Sequence, residues 1–439
     1  MIDPHAVVNE AVRQAPRRYR MPPLPADAPS SHDADTALAF AIEAARGAAE
    51  KGDPPPAEAF GVFARSLGTL IRIALDEQAG DPAFRALVLH AHDAEVQEHV
   101  RLASTAHADR RQVRAAVDAI AHPGKLAALP PGAGRDALSH LHALAREGSW
   151  SALAEHAARA GIDSVAASDA LARLARAEAL GKRTGVMRFL ALLSGAGPLA
   201  GTDSAAAQGR ASARTGDRAE EQALAAFAGM AALLDSRTAP GAFLACRGLR
   251  VPPAFPGEAR KAKDEWDAAL LRVDGRAADI LLLAEVKASP AAATPDFTRL
   301  HRGLLRLAEA DPARVYAFAS ASGSIALAGA SLRALAPLGR QLPPHVVYCC
   351  TAAAEASPPP LAAAAKAVLL AEPASLAYAQ RVAGGDSPPD SALHDVWLAL
   401  ASEPRLRAAL YQYDTACAVR ERMLHPDDLL GAFRQAVAG

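Results

Sequence analysis

The residues best placed to do chemistry lie at 265–289, in the stretch EWDAALLRVDGRAADILLLAEVKAS. Two apolar runs flank a turn at Asp274-Gly275, and charged residues interrupt both runs where a buried strand should carry none. Side chains alternate along a strand, so Glu285 and Lys287 point to the same face, as one site or one salt-bridged surface. Asp267 sits on the preceding run, and its place depends on the hairpin. A two-residue loop at Asp274-Gly275, pairing Val273 with Arg276, turns Asp267 away from Glu285. A loop of about three or five residues brings it to the face of Glu285 and Lys287, so an odd-length loop is expected. A fourth group comes from the helix before the sheet, RAEEQALAAF, where Glu220, preferred over Glu221, lies beside the stripe of Leu224 and Phe227. Converging carboxylates make a hard oxygen site suited to Mg²⁺ or Mn²⁺. A lysine among them can polarise a water and offset charge growing on a phosphorane. Such a set is equipped to hydrolyse a phosphodiester. Asp267 and Glu285 would ligate metal, Lys287 would position the attacking water, and Glu220 would bind a second metal or orient the first.

The elements that must position these groups follow from the surrounding pattern. A helix is expected over 217–234 and a strand over 242–251, followed by the two runs around Asp274-Gly275. A helix over 297–309 then precedes strands at 315–320 and 345–350. This order, helix, three strands, helix, strand, is an α/β arrangement. Ahead of it, 1–194 reads as an all-helical domain behind a Pro-rich arm at 21–31, and 351–439 reads as a helical C-terminal segment. Gly, Ala, Ser and Arg dominate 195–216, which reads as a flexible linker, leaving 217–350 as the central domain.

The helix glutamate, the aspartate on the second strand and the Glu285-Val286-Lys287 triplet resemble the pattern of the PD-(D/E)XK nuclease superfamily, which includes many restriction endonucleases and Holliday-junction resolvases. The resemblance covers 210–350. Trp266 stands where the family often has proline, and Arg299, His301, Arg302 and Arg306 stand on the following helix, where some members carry a glutamine. The resemblance implies a restriction-endonuclease-like core and a Mg²⁺- or Mn²⁺-dependent deoxyribonuclease. It also implies a role in restriction or other anti-phage defence, with a homodimer or a defence-system protein as partner. The competing class is a non-catalytic nuclease-like scaffold that binds protein or nucleic acid.

Composition narrows the field. With 47 Lys and Arg against 48 Asp and Glu, the chain as a whole is not a polyanion binder, though 210–350 is mildly basic, with 18 against 14. The four cysteines include an adjacent pair and no Cys-x-x-Cys, which suits a reducing cytoplasm. Neither a signal peptide nor a membrane span is expected. Eight of the 14 histidines fall between His90 and His156, where His92, Glu95 and His99 would share a helical face; a polar surface is the preferred reading over a metal site. Residues 150–190 resemble a winged helix-turn-helix, with Arg173 or Arg176 near phosphates, although a plain helical hairpin reads more naturally. Gly195, Gly197 and Gly201 have the wrong spacing for a dinucleotide fingerprint, and no phosphate-binding Gly-x-x-x-x-Gly-Lys loop is present.

Overall fold

Three antiparallel strands follow one another: β1 (Phe243–Arg250), β2 (Glu265–Asp274) and β3 (Ala277–Lys287). The computed structural model describes residues 3–27, 33–197, 203–238, 240–275 and 277–438. β4 (Val315–Ser320) and β5 (Gly323–Ala328) form a tight hairpin in which Gly323 takes a φ of 116° and the Ser320 hydroxyl donates to its carbonyl at 2.8 Å. β4 meets β1 at Ala319–Arg250, and β5 runs parallel to β3 at Leu327–Ala278. Five strands therefore close on themselves. β6 (Val346–Cys350) lies parallel to the second half of β3, and β7 (Met423–Leu424) lies parallel to β6.

This closure corrects the expected restriction-endonuclease-like core. The chain is α/β, but β4 and β5 bridge β1 to β3 and turn an open sheet into a five-strand barrel with two added strands. The single strand expected at 315–320 is half of that bridge; its partner, GSIALA, is short and half-exposed and gives a weak strand signal. Other boundaries move as well. The helix expected over 217–234 is Asp203–Asp235, so most of the expected linker is helical, and 198–202 lie outside the described residues.

Two apolar cores sandwich β2, β3 and β6. Trp266, Ala269, Leu271, Ile280, Leu283 and Tyr348 join the core that includes Phe297, Leu300 and Leu304 of the Ala293–Leu307 helix, here termed the inner side. Ala268, Leu270, Leu282, Ala284 and Val286 join the core under the Asp203–Asp235, Pro4–Gln14 and Pro426–Ala438 helices, the outer side. A strand buried on both faces reads as a continuous apolar run, which explains Ile280–Ala284.

Compactness divides the chain into two units. One comprises 1–67, 201–369 and 394–439 and holds the barrel. Its N-terminal segment is tied down by Tyr19, whose buried hydroxyl lies between the carbonyls of Cys350 (2.8 Å) and Ala352 (2.6 Å) with one proton to share, and by the Arg18–Asp428 ion pair. The other unit comprises 68–200 and 370–393 and is helical. No strand forms at 150–190: a turn at Gly181 leads into the Thr184–Gly195 helix, so this stretch has helices and no wing. Arg173 and Arg176 are engaged by Asp109 and Glu98. The histidine cluster is split, because helices Pro82–His92 and Ala94–Ala121 meet at Asp93, which caps the second. His92 Nε2 lies against the Leu376 carbonyl, and Glu95 pairs with Arg183.

Candidate functional site

The site depends on one irregularity in β3. From the turn, Asp274 pairs with Ala277, Val273 with Ala278 and Leu271 with Ile280; the register then shifts, and Leu270 pairs with Leu282 and Ala268 with Ala284. Leu281 is the extra residue. Leu281 and Leu282 both enter the outer core, as a β-bulge requires, and the alternation resumes with Leu283 inward. Without the bulge, Glu285 and Lys287 would face outward into the apolar core under the Asp203–Asp235 helix. With it, they face inward, and one residue beyond the Ala268–Ala284 pair Asp267 comes opposite Glu285. The expected odd-length loop is thus corrected: two residues separate Asp274 from Ala277, and Leu281 supplies the missing step. Where the ladder ends, Asp267 Oδ2 accepts the Val286 backbone N–H at 2.7 Å.

Two lysines and three carboxylates alternate across this inner face. Lys287 Nζ donates to Glu285 Oε1 at 2.7 Å and lies 3.5 Å from Asp296 Oδ2. On the other side, Lys263 Nζ lies 2.5 Å from Glu285 Oε2 and 3.8 Å from Asp267 Oδ1. The close Lys263 approach is off the hydrogen-bonding direction, so Glu285 Oε2 is ion-paired yet has no hydrogen bond; Asp296 Oδ2 and the Tyr348 hydroxyl, both buried, also have none. Tyr348 is the register partner of Glu285 on β6. Glu285 is only 2% exposed, while the side chains of Asp267 and Lys287 are 19% and 20% exposed, so one edge of the cluster meets solvent.

The cluster is strongly polarised. Burial, reinforced by the Asp267 charge, pushes the Glu285 carboxyl up to about 7 against the pull of Lys263 and Lys287. Burial pulls the Lys287 ammonium down, but Glu285, Asp296 and Asp267 together outweigh it and the net shift is upward. Burial beside Asp296 and Glu285 raises the Tyr348 phenol.

Of the four site residues expected, Asp267, Glu285 and Lys287 come together and Glu220 does not. Its helix covers the outer side of the sheet, where Glu220 Oε2 accepts from Arg247 Nε at 2.8 Å; Glu221 is exposed. Lys263 and Asp296 occupy the places that complete the cluster. Lys263 precedes β2 in a polar loop and is held by its N–H to the Arg299 carbonyl (3.0 Å) and by Gly303, where a Cβ would lie 2.9 Å from the lysine carbonyl. A lysine in a loop carries no burial signal of its own. Asp296, in the first turn of its helix, reads as an ordinary helix-start acid.

Among the described residues, no three His, Cys, Asp or Glu side chains gather as a metal-ligand set. The donor set available is Asp267 and Glu285, hard oxygens with one buried lone-pair site unused, which fits a cation that retains waters and takes one or two carboxylates. Comparison with protein-family models, with curated proteins and with solved structures finds no match for this chain.

Proposed function

We propose that the barrel unit is a Mg²⁺- or Mn²⁺-dependent phosphodiesterase acting on nucleic acid, DNA in the first instance, in the cytoplasm. The observation that carries this reading is the meeting of Asp267, Glu285 and Lys287 on one buried face with an edge open to solvent. Asp267 and Glu285 would hold the divalent ion, which would supply Lewis acidity and a water of lowered pKa. Lys287, braced by Glu285 Oε1 and Asp296, orients the attacking water and offsets negative charge at the phosphorus. Because the Glu285 carboxyl is raised to about 7, holding the ion there would release a proton from it near and below neutral pH. Asp296 keeps the Lys287 ammonium charged.

The test uses supercoiled plasmid and single-stranded DNA with Mg²⁺ or Mn²⁺. Cleavage by the wild-type chain is expected, with a loss of at least about 100-fold in Lys287→Ala at an unchanged far-UV circular dichroism spectrum. Undiminished cleavage by that variant overturns the assignment.

A second reading is favoured by Lys263, whose ammonium already neutralises Glu285 Oε2. On that reading the cluster is a closed ionic network inside a non-catalytic binding module. Its signature is no cleavage under either metal, together with thermal stability that does not respond to millimolar Mn²⁺.

A further inference from the structure

A groove of about 520 Å³ lies between the loop that leads into Lys263 and the outer flank of the Ala293–Leu307 helix. Arg260, Lys261, Arg302 and Arg306 line it, against Glu258 and Glu309. Arg260, Lys261 and Arg302 are exposed, and none has an ion-pair partner among the described residues. The neighbouring Arg299, by contrast, pairs with Asp264, and Arg250 pairs with Glu265.

The groove is built on a rigid floor. Arg306 is 6% exposed and donates to the carbonyls of Phe255 (3.3 Å) and Pro256 (3.4 Å), with its guanidinium over the Phe255 ring. Gly257, at a φ of 84°, lets the loop lie so close that a Cβ there would sit 3.2 Å from Arg306 Cγ. Gly303 and the Lys263–Arg299 backbone bond pin the other end. Between the pins, Lys261 adopts a φ of 58°, the one non-glycine residue with positive φ among those described. Backbone strain of this kind persists where surrounding contacts enforce it, and here it sits at the tip carrying two free cations.

The geometry points to this groove as a track for the phosphodiester backbone of a nucleic acid. Guanidinium forks match phosphate oxygens in pairs, and the exposed Leu305 between the cations offers an apolar surface to a sugar or base. The loop continues directly into Lys263, whose ammonium contacts Glu285, so the groove and the carboxylate cluster are joined through one short segment of chain. The choice of nucleic acid over an acidic protein rests on the phosphodiesterase reading, while the groove itself does not.

The experiment is fluorescence anisotropy with the full chain and labelled single- and double-stranded 20-mers in EDTA, which separates binding from cleavage. The triple variant Arg260→Gln, Lys261→Gln, Arg302→Gln should bind roughly tenfold or more weakly near 50 mM salt. The slope of log K against log salt should fall by about 2–3. Arg302→Gln alone, on the helix flank and away from the strained tip, should show a smaller loss of the same sign and guards against a local loop effect. Unchanged affinity in the triple variant, no binding by the wild-type chain, or displacement of DNA by polyglutamate as readily as by unlabelled oligonucleotide would each overturn the proposal. Groove-dependent binding without cleavage leaves the groove standing and removes the enzyme; cleavage with groove-independent binding does the reverse.

Discussion

Two buried carboxylates, one in each unit, have been closed off to different degrees. Asp109, 4% exposed in the helical unit, accepts from Arg173 Nη2 (2.6 Å) and Nε (3.0 Å) and from the Thr105 hydroxyl (3.0 Å). The Arg173 hydrogen bonds outweigh desolvation and hold its carboxyl below the usual aspartate range. Glu285, 2% exposed in the barrel unit, has two lysine neighbours, yet one oxygen is left without a hydrogen bond and its carboxyl is driven up. A bidentate guanidinium gives both oxygens of the Asp109 carboxylate a hydrogen bond at once. Two ammonium groups approached from opposite sides leave one oxygen of Glu285 without one, which is what a site needs and a structural pair does not.

The comparison breaks most completely if the bulge is removed. Deleting Leu281 should turn Glu285 and Lys287 into the outer core, and burying both charges there should abolish cooperative unfolding, as followed by circular dichroism melts. Next in size, Lys263→Met should destabilise the barrel unit by about 1–3 kcal/mol, because it leaves a buried carboxylate with Lys287 as its one remaining cation. Lys263→Met with Glu285→Gln should recover much of that loss in a double-mutant cycle. A cycle with no coupling would mean that the 2.5 Å contact carries no energy.

Acid sharpens the contrast, because the two carboxylates respond with opposite sign. Glu285, raised in the fold from 4.5 to about 7, contributes stability that is present below about pH 4.5 and is lost as pH rises through 7. Asp109, lowered from 3.8, contributes stability that is present above that value and is lost as pH falls further. Denaturant titrations of Glu285→Gln and Asp109→Asn against the wild-type chain should therefore give difference curves of opposite slope, with the Glu285 curve changing by ~2–3 kcal/mol between pH 4.5 and 7. Slopes of the same sign would dissolve the distinction. The smallest effect belongs to Glu220→Gln. Its pair with Arg247 is about one-third exposed, so stability should move by less than about 0.5 kcal/mol, and any cleavage activity should be retained.

The pairing of Glu285 with Lys287 was legible because strand alternation depends on nothing beyond the strand itself. The place of Asp267 was legible only as a choice between registers. All of Ile280–Ala284 is apolar, so moving one residue from face to face costs nothing visible in the sequence, and the bulge at Leu281 leaves no mark such as a glycine. Glu220 was misplaced for a related reason. Its helix stripe shows that it packs on the sheet but not on which side, and Glu285 and Lys287 lie on the other one. Barrel closure was the least legible feature, because it rests on the Ala319–Arg250 and Leu327–Ala278 pairings between strands remote in sequence.

The Pro4–Gln14 helix packs with the Pro426–Ala438 helix over the outer face, and Arg18 reaches Asp428 across 410 positions of chain. At ~5–20 residues per second, a nascent chain spends roughly 20–80 s between making these two partners. Throughout that interval Val7, Val8 and Val12 lack the part of their final surface that Leu429, Phe433 and Val437 supply, so the outer core stays incomplete until the end of the chain is made.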